Sequence, residues 1–265
     1  MVDFQCKERY DYADLLQIMK ILRAPGGCPW DGEQTHESIR RDFLEETCEA
    51  VEAIDRADMT ALCEELGDVL LQVVFHAQIE TEKGGFTMED VVDGVCQKLV
   101  YRHPHVFGTT KVSGSGEVLV NWDILKQKEK KQTTGADTVD AVATTLPALW
   151  RAEKMQKKAA KAGFVWPDPM DKLCEELEEL RDAVKTGEVD CPHGVREEVG
   201  DLLFMTAQIA REHGVDPEDA LHRSCDKFAR RFRATEELAG GDLHALTPEA
   251  QRECWNKAKE RETLS

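Results

Sequence analysis

Apolar positions along this chain recur at the spacing of an amphipathic helix, and runs of β-branched residues that would suit strands are scarce. Between about residues 36 and 56, one apolar stripe is predicted to face a core. It consists of Ile39, Phe43, Ala50, Val51 and Ile54. From Val69 to Ala77 the chain is apolar on almost every side, which is typical of a buried helix. The pattern predicts an all-α protein.

Capping residues, together with Gly and Pro, indicate where each helix begins and ends. The chain contains predicted helices at about 12–23, 36–56, 59–83 and 87–103, then at about 146–162, 170–186, 195–212, 217–237 and 248–261. The segments 28–31 and 163–168 are predicted to be loops.

A change of composition separates the two sets of helices. Gly, Ser and Thr accumulate between residues 108 and 145, so we expect a linker there, with one short helix at about 122–131. The helical pattern then restarts. The predicted organisation is therefore two tandem four-helix units, 1–107 and 146–265, joined by this linker.

An acidic constellation occurs once in each predicted unit. The first copy is Glu45-Glu46-x-x-Glu49 followed by Glu65-x-x-Asp68. The second copy is Glu175-Glu176-x-x-Glu179 followed by Glu198-x-x-Asp201. The offset is 130 positions for the first segment (45 to 175) and 133 for the second (65 to 198). A lone E-x-x-D is a weak signal, whereas the whole arrangement repeated in one chain is a strong one.

The spacing of these acids favours a metal site over a solvated charged face. Acids at i, i+3 and i+4 share one side of a helix and repel one another unless a cation neutralises them. Glu65 and Asp68 precede the segment predicted to be buried, where unpaired carboxylates are costly. Ligands that are all oxygen favour Mg²⁺, with Mn²⁺ as a substitute. The predicted metal ligands are Glu46, Glu49, Glu65, Asp68, Glu176, Glu179, Glu198 and Asp201.

Two cationic pairs repeat at nearly the same offset. Lys98 and Arg102 are spaced i, i+4, and Lys227 and Arg231 repeat that spacing 129 positions later (98 to 227). Such residues suit contacts with phosphate oxygens. The alternative is that they complement the dipole at a helix C-terminus.

Tryptophan and lysine also repeat as a pair at i, i+4. Trp122 with Lys126 is followed 133 positions later by Trp255 with Lys259 (122 to 255). The indole ring suits stacking on a nucleobase while the lysine reaches phosphate. Packing of a terminal helix on its bundle explains the tryptophans equally well.

The overall charge and the cysteine pattern restrict the partners and the compartment. The formal net charge of −18 argues against adhesion to nucleic acid or to an anionic membrane. No apolar run approaches the roughly 20 residues that cross a bilayer. The nine cysteines include no C-x-x-C pair, which favours free thiols in a reducing compartment. We expect a cytoplasmic protein with neither nucleic acid nor membrane as a partner.

These motifs together resemble the MazG family of nucleoside triphosphate pyrophosphohydrolases over nearly the whole chain. The resemblance rests on Cys28-Pro29-Trp30-Asp31, on both acidic constellations, on E-E-L-G-D-V-L-L-Q-V-V-F-H-A from Glu64 to Ala77, and on K-F-A-R-R-F from Lys227 to Phe232. It implies the all-α fold of dimeric dUTPases and phosphoribosyl-ATP pyrophosphohydrolases. It also implies a cytoplasmic homodimer that hydrolyses nucleoside triphosphates to monophosphate and pyrophosphate with Mg²⁺ and with broad base tolerance.

The resemblance further implies that the second unit can carry most of the activity. The matching positions there are Glu175, Glu176, Glu179, Glu198, Asp201, Lys227, Arg231, Trp255 and Lys259. The first unit keeps every acid, so its ligands give no sign of inactivity. Glu45 and Glu175 belong to the predicted catalytic set because one glutamate of this segment is expected to act as general base. The cationic pairs belong to it as stabilisers of phosphate charge.

Two other functions fit the same residues. The first is a dedicated dUTP or phosphoribosyl-ATP pyrophosphohydrolase. The second is a non-catalytic helical module that binds a nucleotide or a partner and uses its acids structurally.

Overall fold

The computed structural model describes residues 4–263 and is 72% helical, with no strand among those residues. The predicted all-α fold is confirmed. The chain divides into two compact units, Met1–Leu125 and Lys126–Ser265, so the division falls within the segment predicted as linker. The outermost residues of the predicted domains, 1–3 and 264–265, lie outside the described residues.

The first unit is built from helices that begin at clear caps. The helices are α1 (Tyr12–Arg23), α2 (Pro29–Glu33), α3 (Arg40–Asp55), α4 (Met59–Glu82), α5 (Met88–Arg102), α6 (Pro104–Phe107) and α7 (Ser115–Glu129), the last of which crosses the division between the units. The Asp58 side chain accepts hydrogen bonds from the first turn of α4, and Thr87 with Asp90 forms a capping box on α5. These polar residues fix where the helices start.

The second unit repeats this order of long helices. Its elements are α8 (Gly135–Asp140), α9 (Ala148–Lys161), α10 (Pro169–Thr186), α11 (Val195–Glu212), α12 (Pro217–Leu238), a 3₁₀ turn (Leu243–Ala245) and α13 (Pro248–Thr263). Asp168 caps α10, which ends at Gly187 in the left-handed conformation with φ 71°. α3 pairs with α4 in the first unit, and α10 pairs with α11 in the second. These two pairs carry the acids.

The interiors of the two units differ in chemistry. The first has a cluster of bulky apolar side chains from α1, α4 and the turn before α3. The cluster consists of Met19, Ile39, Val74, Phe75 and Ile79. In the second unit, the buried apolar side chains described are mostly small, such as Ala152, Ala183 and Ala207, and buried Glu and Gln side chains lie among them. Its interior is therefore more polar.

Three local expectations from the sequence were wrong. The segment from Cys28 to Asp31 is not simply a loop, because α2 begins at Pro29, a residue whose fixed φ suits a first helical position. α3 begins at Arg40 instead of about residue 36, after a turn in which Thr35 and Ser38 bond each other's backbone amides. The helix expected near 122–131 is α7, which begins at Ser115.

Part of the apolar stripe predicted on α3 lies at the surface. Ile39 is buried, but Val51 and Ile54 are 43% and 55% exposed. The segment of α4 from Val69 to Ala77, predicted to be buried, exposes Leu70, and Leu66 one turn earlier is exposed as well. Sequence periodicity identifies an apolar face but not what covers it, so these side chains were wrongly placed in the core. Within residues 4–263, no helix combines the length and apolar content that a membrane crossing requires.

Candidate functional site

The first acid cluster forms where α3 packs on α4. Carboxylate oxygens of Glu46, Glu49 and Glu65 lie within 4.8 Å of one another. Burial first, and then the charge of Glu49, raises the pKa of Glu65, and the carboxyl groups of Glu49 and Glu65 are also hydrogen-bonded. Burial is the largest cause of the raised pKa of Glu46, and the charge of Asp68 is the second largest. All four predicted ligands therefore interact, and three of them share one small space.

The second acid cluster forms in the same way between α10 and α11. Here the oxygens within 4.8 Å of one another belong to Glu176, Glu198 and Asp201. Burial raises the pKa of Asp201, and the charge of Glu176 raises it further. Burial and a hydrogen bond to Glu176 raise the pKa of Glu179, so this fourth acid touches the cluster as well. Three oxygen donors at this spacing suit a hard divalent cation.

The second cluster is set more deeply than the first. Glu176 and Glu198 are only 6% and 2% exposed, whereas Glu46 and Glu65 are half-buried. Each cluster also has one exposed member, Asp201 in the second and Glu49 in the first. Glu198 also lies in the first turn of α11, where the positive end of the helix dipole favours its charge. The buried carboxylates of the second unit thus have part of their charge offset by the fold itself.

A glycine at the start of α11 makes that position possible. The carbonyl oxygens of Val189 and Cys191 would lie 2.8 and 2.9 Å from a Cβ added at Gly194. A larger residue would push the loop away from the helix. His193 precedes this glycine, and its Nδ1 lies 3.5 Å from Oε1 of the buried Glu198.

The cluster in the second unit also has a resident counter-charge. Lys172 Nζ lies 2.9 Å from Oε1 of Glu176 and 3.0 Å from Oε1 of Glu175. The hydrogen bond to Glu176 is the largest cause of a raised Lys172 pKa. The matching position in α3 (172 − 130 = 42) is Asp42, a carboxylate that helps raise the pKa of Glu46. Lys172 was not among the predicted site residues, although its i, i+4 spacing to Glu176 is a signal in the sequence.

The two glutamates predicted to be catalytic lie beside the clusters. Glu45 is exposed and pairs with Arg41 at 2.8 Å, and Glu175 is exposed and pairs with Lys172. Neither shares the small space of the three metal-facing oxygens in its unit. Their catalytic role remains a prediction.

The predicted cationic pairs divide into exposed lysines and partnered arginines. Lys98 and Lys227 are exposed on α5 and α12. Arg102 is buried and lies over the Trp122 ring, 5.1 Å from its centroid. Arg231 Nε lies 2.5 Å from Oε2 of Glu262 on α13. Each arginine thus binds the last helix of its own repeat, and contact with phosphate remains a prediction for all four.

The tryptophans have packing partners in the structure. Trp255 packs on Phe228, with ring centroids 5.4 Å apart, and Trp122 lies against Arg102. Lys126 is half-buried, and Lys259 is exposed. These contacts agree with the alternative that the tryptophans anchor a terminal helix. Contact with a nucleotide by Trp122, Lys126, Trp255 and Lys259 remains a prediction.

Comparison with known proteins agrees with this duplicated geometry. The sequence model of the MazG nucleotide pyrophosphohydrolase domain matches residues 34–107 and 169–234, which are the segments that contain the two clusters. The chain is 42% identical over 254 residues to the nucleoside triphosphate pyrophosphohydrolase/pyrophosphatase MazG of Thermotoga maritima, across 94% of this chain and 95% of that protein.

Two further relatives extend the comparison. The nucleoside triphosphate pyrophosphohydrolase of Escherichia coli K12 is 41% identical over 255 residues, 94% of this chain and 97% of that protein. YabN of Bacillus subtilis, which is uncharacterized, is 44% identical over 260 residues, 97% of this chain but 53% of YabN. Two domain matches and relatives of this coverage lead to one conclusion: the chain belongs to the MazG nucleotide pyrophosphohydrolase family.

Proposed function

We propose that this chain hydrolyses nucleoside triphosphates to nucleoside monophosphate and pyrophosphate with Mg²⁺, which Mn²⁺ can replace. The observation that carries the proposal is the pair of carboxylate clusters, each with three oxygens within 4.8 Å, in a chain of this family. The printed names of two relatives, nucleoside triphosphate pyrophosphohydrolases, support the same reaction.

The acids account for the metal requirement. When bound, a divalent cation neutralises the charge of the triphosphate and of the leaving pyrophosphate. Glu176, Glu198 and Asp201 would hold it in the second unit, and Glu46, Glu49 and Glu65 in the first. The pKa values of Glu46, Glu65, Glu179 and Asp201 are raised. Raised values at grouped acids are typical of a site that needs an added positive charge.

The remaining residues of the site would position the reactants. One glutamate of α10 accepts the proton of the attacking water. Lys227 and Arg231 hold phosphate oxygens, and Arg231 would exchange its bond to Glu262 for one to phosphate. Lys172 lies beside Glu175 and Glu176 and limits their repulsion until the substrate complex forms.

We assign most of the turnover to the second unit. Its cluster is more deeply buried, which excludes water and strengthens each charge interaction. Lys172 and the N-terminus of α11 also preorganise it. The more exposed cluster of the first unit would bind metal with less effect on phosphate charge.

The test is product analysis with the full chain. Wild type, Glu65→Gln and Glu198→Gln are incubated with Mg²⁺ and a panel of the common nucleoside triphosphates, dUTP and phosphoribosyl-ATP. We expect pyrophosphate from several substrates, with a large loss for Glu198→Gln and a small one for Glu65→Gln. In ¹⁸O-water the label should enter the monophosphate. Orthophosphate as the product would refute the bond specificity, and turnover confined to dUTP or to phosphoribosyl-ATP would refute the breadth.

We also propose that the chain works as a cytoplasmic homodimer. Both units expose matching apolar side chains on the helices that carry the acids: Leu66 and Leu70 on α4, and Val199 and Leu203 on α11. Exposed apolar faces that repeat in this way suit an interface with a second copy. The nine unpaired cysteines suit a reducing compartment. Light scattering measures the molecular mass of wild type and of Leu70→Lys. A monomer mass for wild type that Leu70→Lys leaves unchanged would refute the dimer.

A further inference from the structure

The first unit contains a histidine pair that its acid cluster does not use. His36 lies in the turn before α3, and Nδ1 of its ring lies 2.7 Å from Nδ1 of His76 on α4. The two rings are nearly parallel, with 12° between their planes, and the His36 side chain is 30% exposed. We propose that these two nitrogens bind a Zn²⁺ ion, at a site separate from the acids.

Glu80 orients the first of these imidazoles. Its Oε1 lies 2.7 Å from Nε2 of His36. The hydrogen bond from His36, and next to it one from Lys83, holds the pKa of Glu80 below its usual range, so this carboxylate is ionised and only accepts. His36 is therefore assigned a proton on Nε2 and a lone pair on the Nδ1 that faces His76. A carboxylate behind the imidazole is the common arrangement at zinc, because it fixes the tautomer and makes the ligand more basic.

His76 suits the second ligand position. Burial, and to a smaller extent the charge of His36, lowers its pKa, so the neutral ring that metals bind prevails at neutral pH. The Phe43 ring of α3 packs on it, with centroids 5.7 Å apart. In the hydrogen-bonded pair, His76 donates its Nδ1 proton to His36. When an ion binds, that proton leaves to solvent and Nε2 takes one up, so the ring stays neutral and both Nδ1 lone pairs face the ion.

The separation of the two nitrogens is close to what the ion needs. Zinc lies about 2.0–2.1 Å from each histidine nitrogen, so tetrahedral geometry puts two such nitrogens about 3.3 Å apart. The Nδ1 atoms of His36 and His76, now 2.7 Å apart, would separate by about 0.6 Å. A small rotation of the partly exposed His36 side chain provides this movement.

Gln72 offers a third donor. It lies one helical turn before His76 on α4, and residues spaced i, i+4 share one side of a helix. Gln72 is 8% exposed, and its buried Oε1 has no hydrogen-bond partner among the residues that the structure describes. A buried acceptor without a partner is costly, and a cation removes that cost. Two nitrogens, this oxygen and one water from the open side complete four-coordinate zinc.

This site is chemically and spatially distinct from the acid cluster. His76 follows Asp68 by eight residues, which is about 12 Å along α4. Imidazole suits zinc, nickel and copper, whereas carboxylates suit Mg²⁺. The second unit does not repeat the site, because the positions that match Gln72 and His76 (72 + 133 and 76 + 133) are Met205 and Ile209. An ion at the histidine pair would tie the turn before α3 to α4 in the first unit alone.

The experiment follows the imidazoles of the full chain without nucleotide. The protein, labelled with ¹⁵N-histidine, is titrated with Zn²⁺ in a nitrilotriacetate buffer that sets the free ion concentration, and excess Mg²⁺ competes for the acid clusters. We expect the Nδ1 resonances of His36 and His76 to move together as one ion binds. These resonances report the two rings themselves, so Zn²⁺ bound at the nine unpaired cysteines does not interfere.

Three substitutions examine the three parts of the site. His36→Gln removes one nitrogen ligand and should abolish the shift of the His76 resonance. Glu80→Gln keeps both imidazoles but removes the carboxylate behind them, and should weaken Zn²⁺ binding roughly ten- to hundredfold. Gln72→Leu should weaken it as well. Unchanged affinity in Gln72→Leu overturns the assignment of the third donor.

His105→Gln is the matched control. His105 also lies beside a histidine of the first unit, with its ring centroid 5.6 Å from that of His103, but Nδ1 of His103 is bonded to the Leu99 carbonyl oxygen. This variant should bind Zn²⁺ like wild type. The proposal is overturned if Zn²⁺ leaves the His36 and His76 resonances unmoved, as expected of a pair that only shares a proton. Equal weakening by His105→Gln and His36→Gln overturns it too.

Discussion

Lys172 and Glu176 form an ion pair one helical turn apart on α10, with Nζ 2.9 Å from Oε1, at the edge of the more deeply buried acid cluster. The matching position on α3 is Asp42, which adds a negative charge to the other cluster. The two repeats thus share their acids but not their charge balance. The second unit neutralises part of its cluster by itself, whereas the charges that act on Glu46 and Glu65 in the first are those of other acids.

Replacing Lys172 should therefore destabilise the metal-free protein. Lys172→Ala leaves the buried Glu176 beside Glu198 without its partner. We expect a loss of about 1–3 kcal/mol in the free energy of unfolding of the second unit, measured by denaturant titration in EDTA. Mg²⁺ should recover more stability in the variant than in wild type, because the cation then supplies the missing charge.

The control for this change is Lys185→Ala on the same helix. Lys185 Nζ lies 2.7 Å from Oδ1 of Asp182, but both side chains are well exposed. Exposed pairs contribute little, so the loss should be much smaller than for Lys172→Ala. Equal losses for the two lysines would show that burial of Glu176 does not matter.

Removing one charge from the first cluster should have the opposite effect. Burial and nearby acids, Glu49 first among them, raise the pKa of Glu65, so ionising this carboxyl costs more free energy in the folded protein than in the unfolded chain. We expect Glu65→Gln to raise the melting temperature in EDTA and to reduce the stabilisation that Mg²⁺ gives the first unit. Differential scanning calorimetry measures both.

The neighbouring Glu64→Gln removes the same charge from an exposed position outside the three-oxygen group. It should change the response to Mg²⁺ far less. If Glu64→Gln and Glu65→Gln reduce that response equally, a general loss of negative charge explains the effect and the ligand assignment fails.

The effect of Mg²⁺ on stability should depend on pH. The folded-state pKa values of Glu46, Glu65, Glu179 and Asp201 lie above their ordinary values of 4.5 and 3.8. Between the ordinary and the raised values the folded state binds more protons than the unfolded state. The stability that these acids contribute is therefore present at low pH and is lost as pH rises through the raised values.

A cation replaces the lost protons, so Mg²⁺ should stabilise the protein more at about pH 8 than at about pH 5. Melting curves at both pH values, with EDTA and with Mg²⁺, measure the difference. The quadruple variant with Gln or Asn at the four acids should show a much smaller dependence. A Mg²⁺ effect that is equal at both pH values would contradict the assignment.

Arg23 should be important for the stability of the first unit although it lies far along the chain from the acids. Its buried guanidinium lies 5.2 Å from the centroid of Phe75, donates to the carbonyl oxygens of Asp31 and Gln34, and pairs with Glu82. Arg23→Met would leave those carbonyl oxygens without their donor. We expect a loss of about 2–3 kcal/mol in the free energy of unfolding, measured by denaturant titration. Arg56→Met, which removes a pair with Glu52 on the exposed face of α3, should cost much less.

Much of the fold follows from local sequence signals. The predicted bounds of α1 and α11 match the structure, and Asp58 and Thr87 act as the caps that their types favour. What could not be predicted depends on contacts between distant residues. α2 is held by Arg23, and the exposure of Val51 and Ile54 reflects what packs against α3.

The acid clusters were predictable because the repeat marks both copies and because helix geometry aligns the acids. The structure adds which oxygens converge: Glu49 joins the first group of three and Asp201 the second. It also adds Lys172, whose importance depends on the burial of Glu176.

The polar interior of the second unit has an evolutionary consequence. Glu176 and Glu198 are part of what fills that interior, so mutations that inactivate this site by changing the size of these side chains also disturb packing and lower the amount of folded protein. The first unit keeps its acids near the surface, over an apolar cluster that does not depend on them. Substitutions can therefore accumulate among the acids of the first site without loss of that domain's fold. In the second unit, selection for a stable fold also preserves the acids of the site.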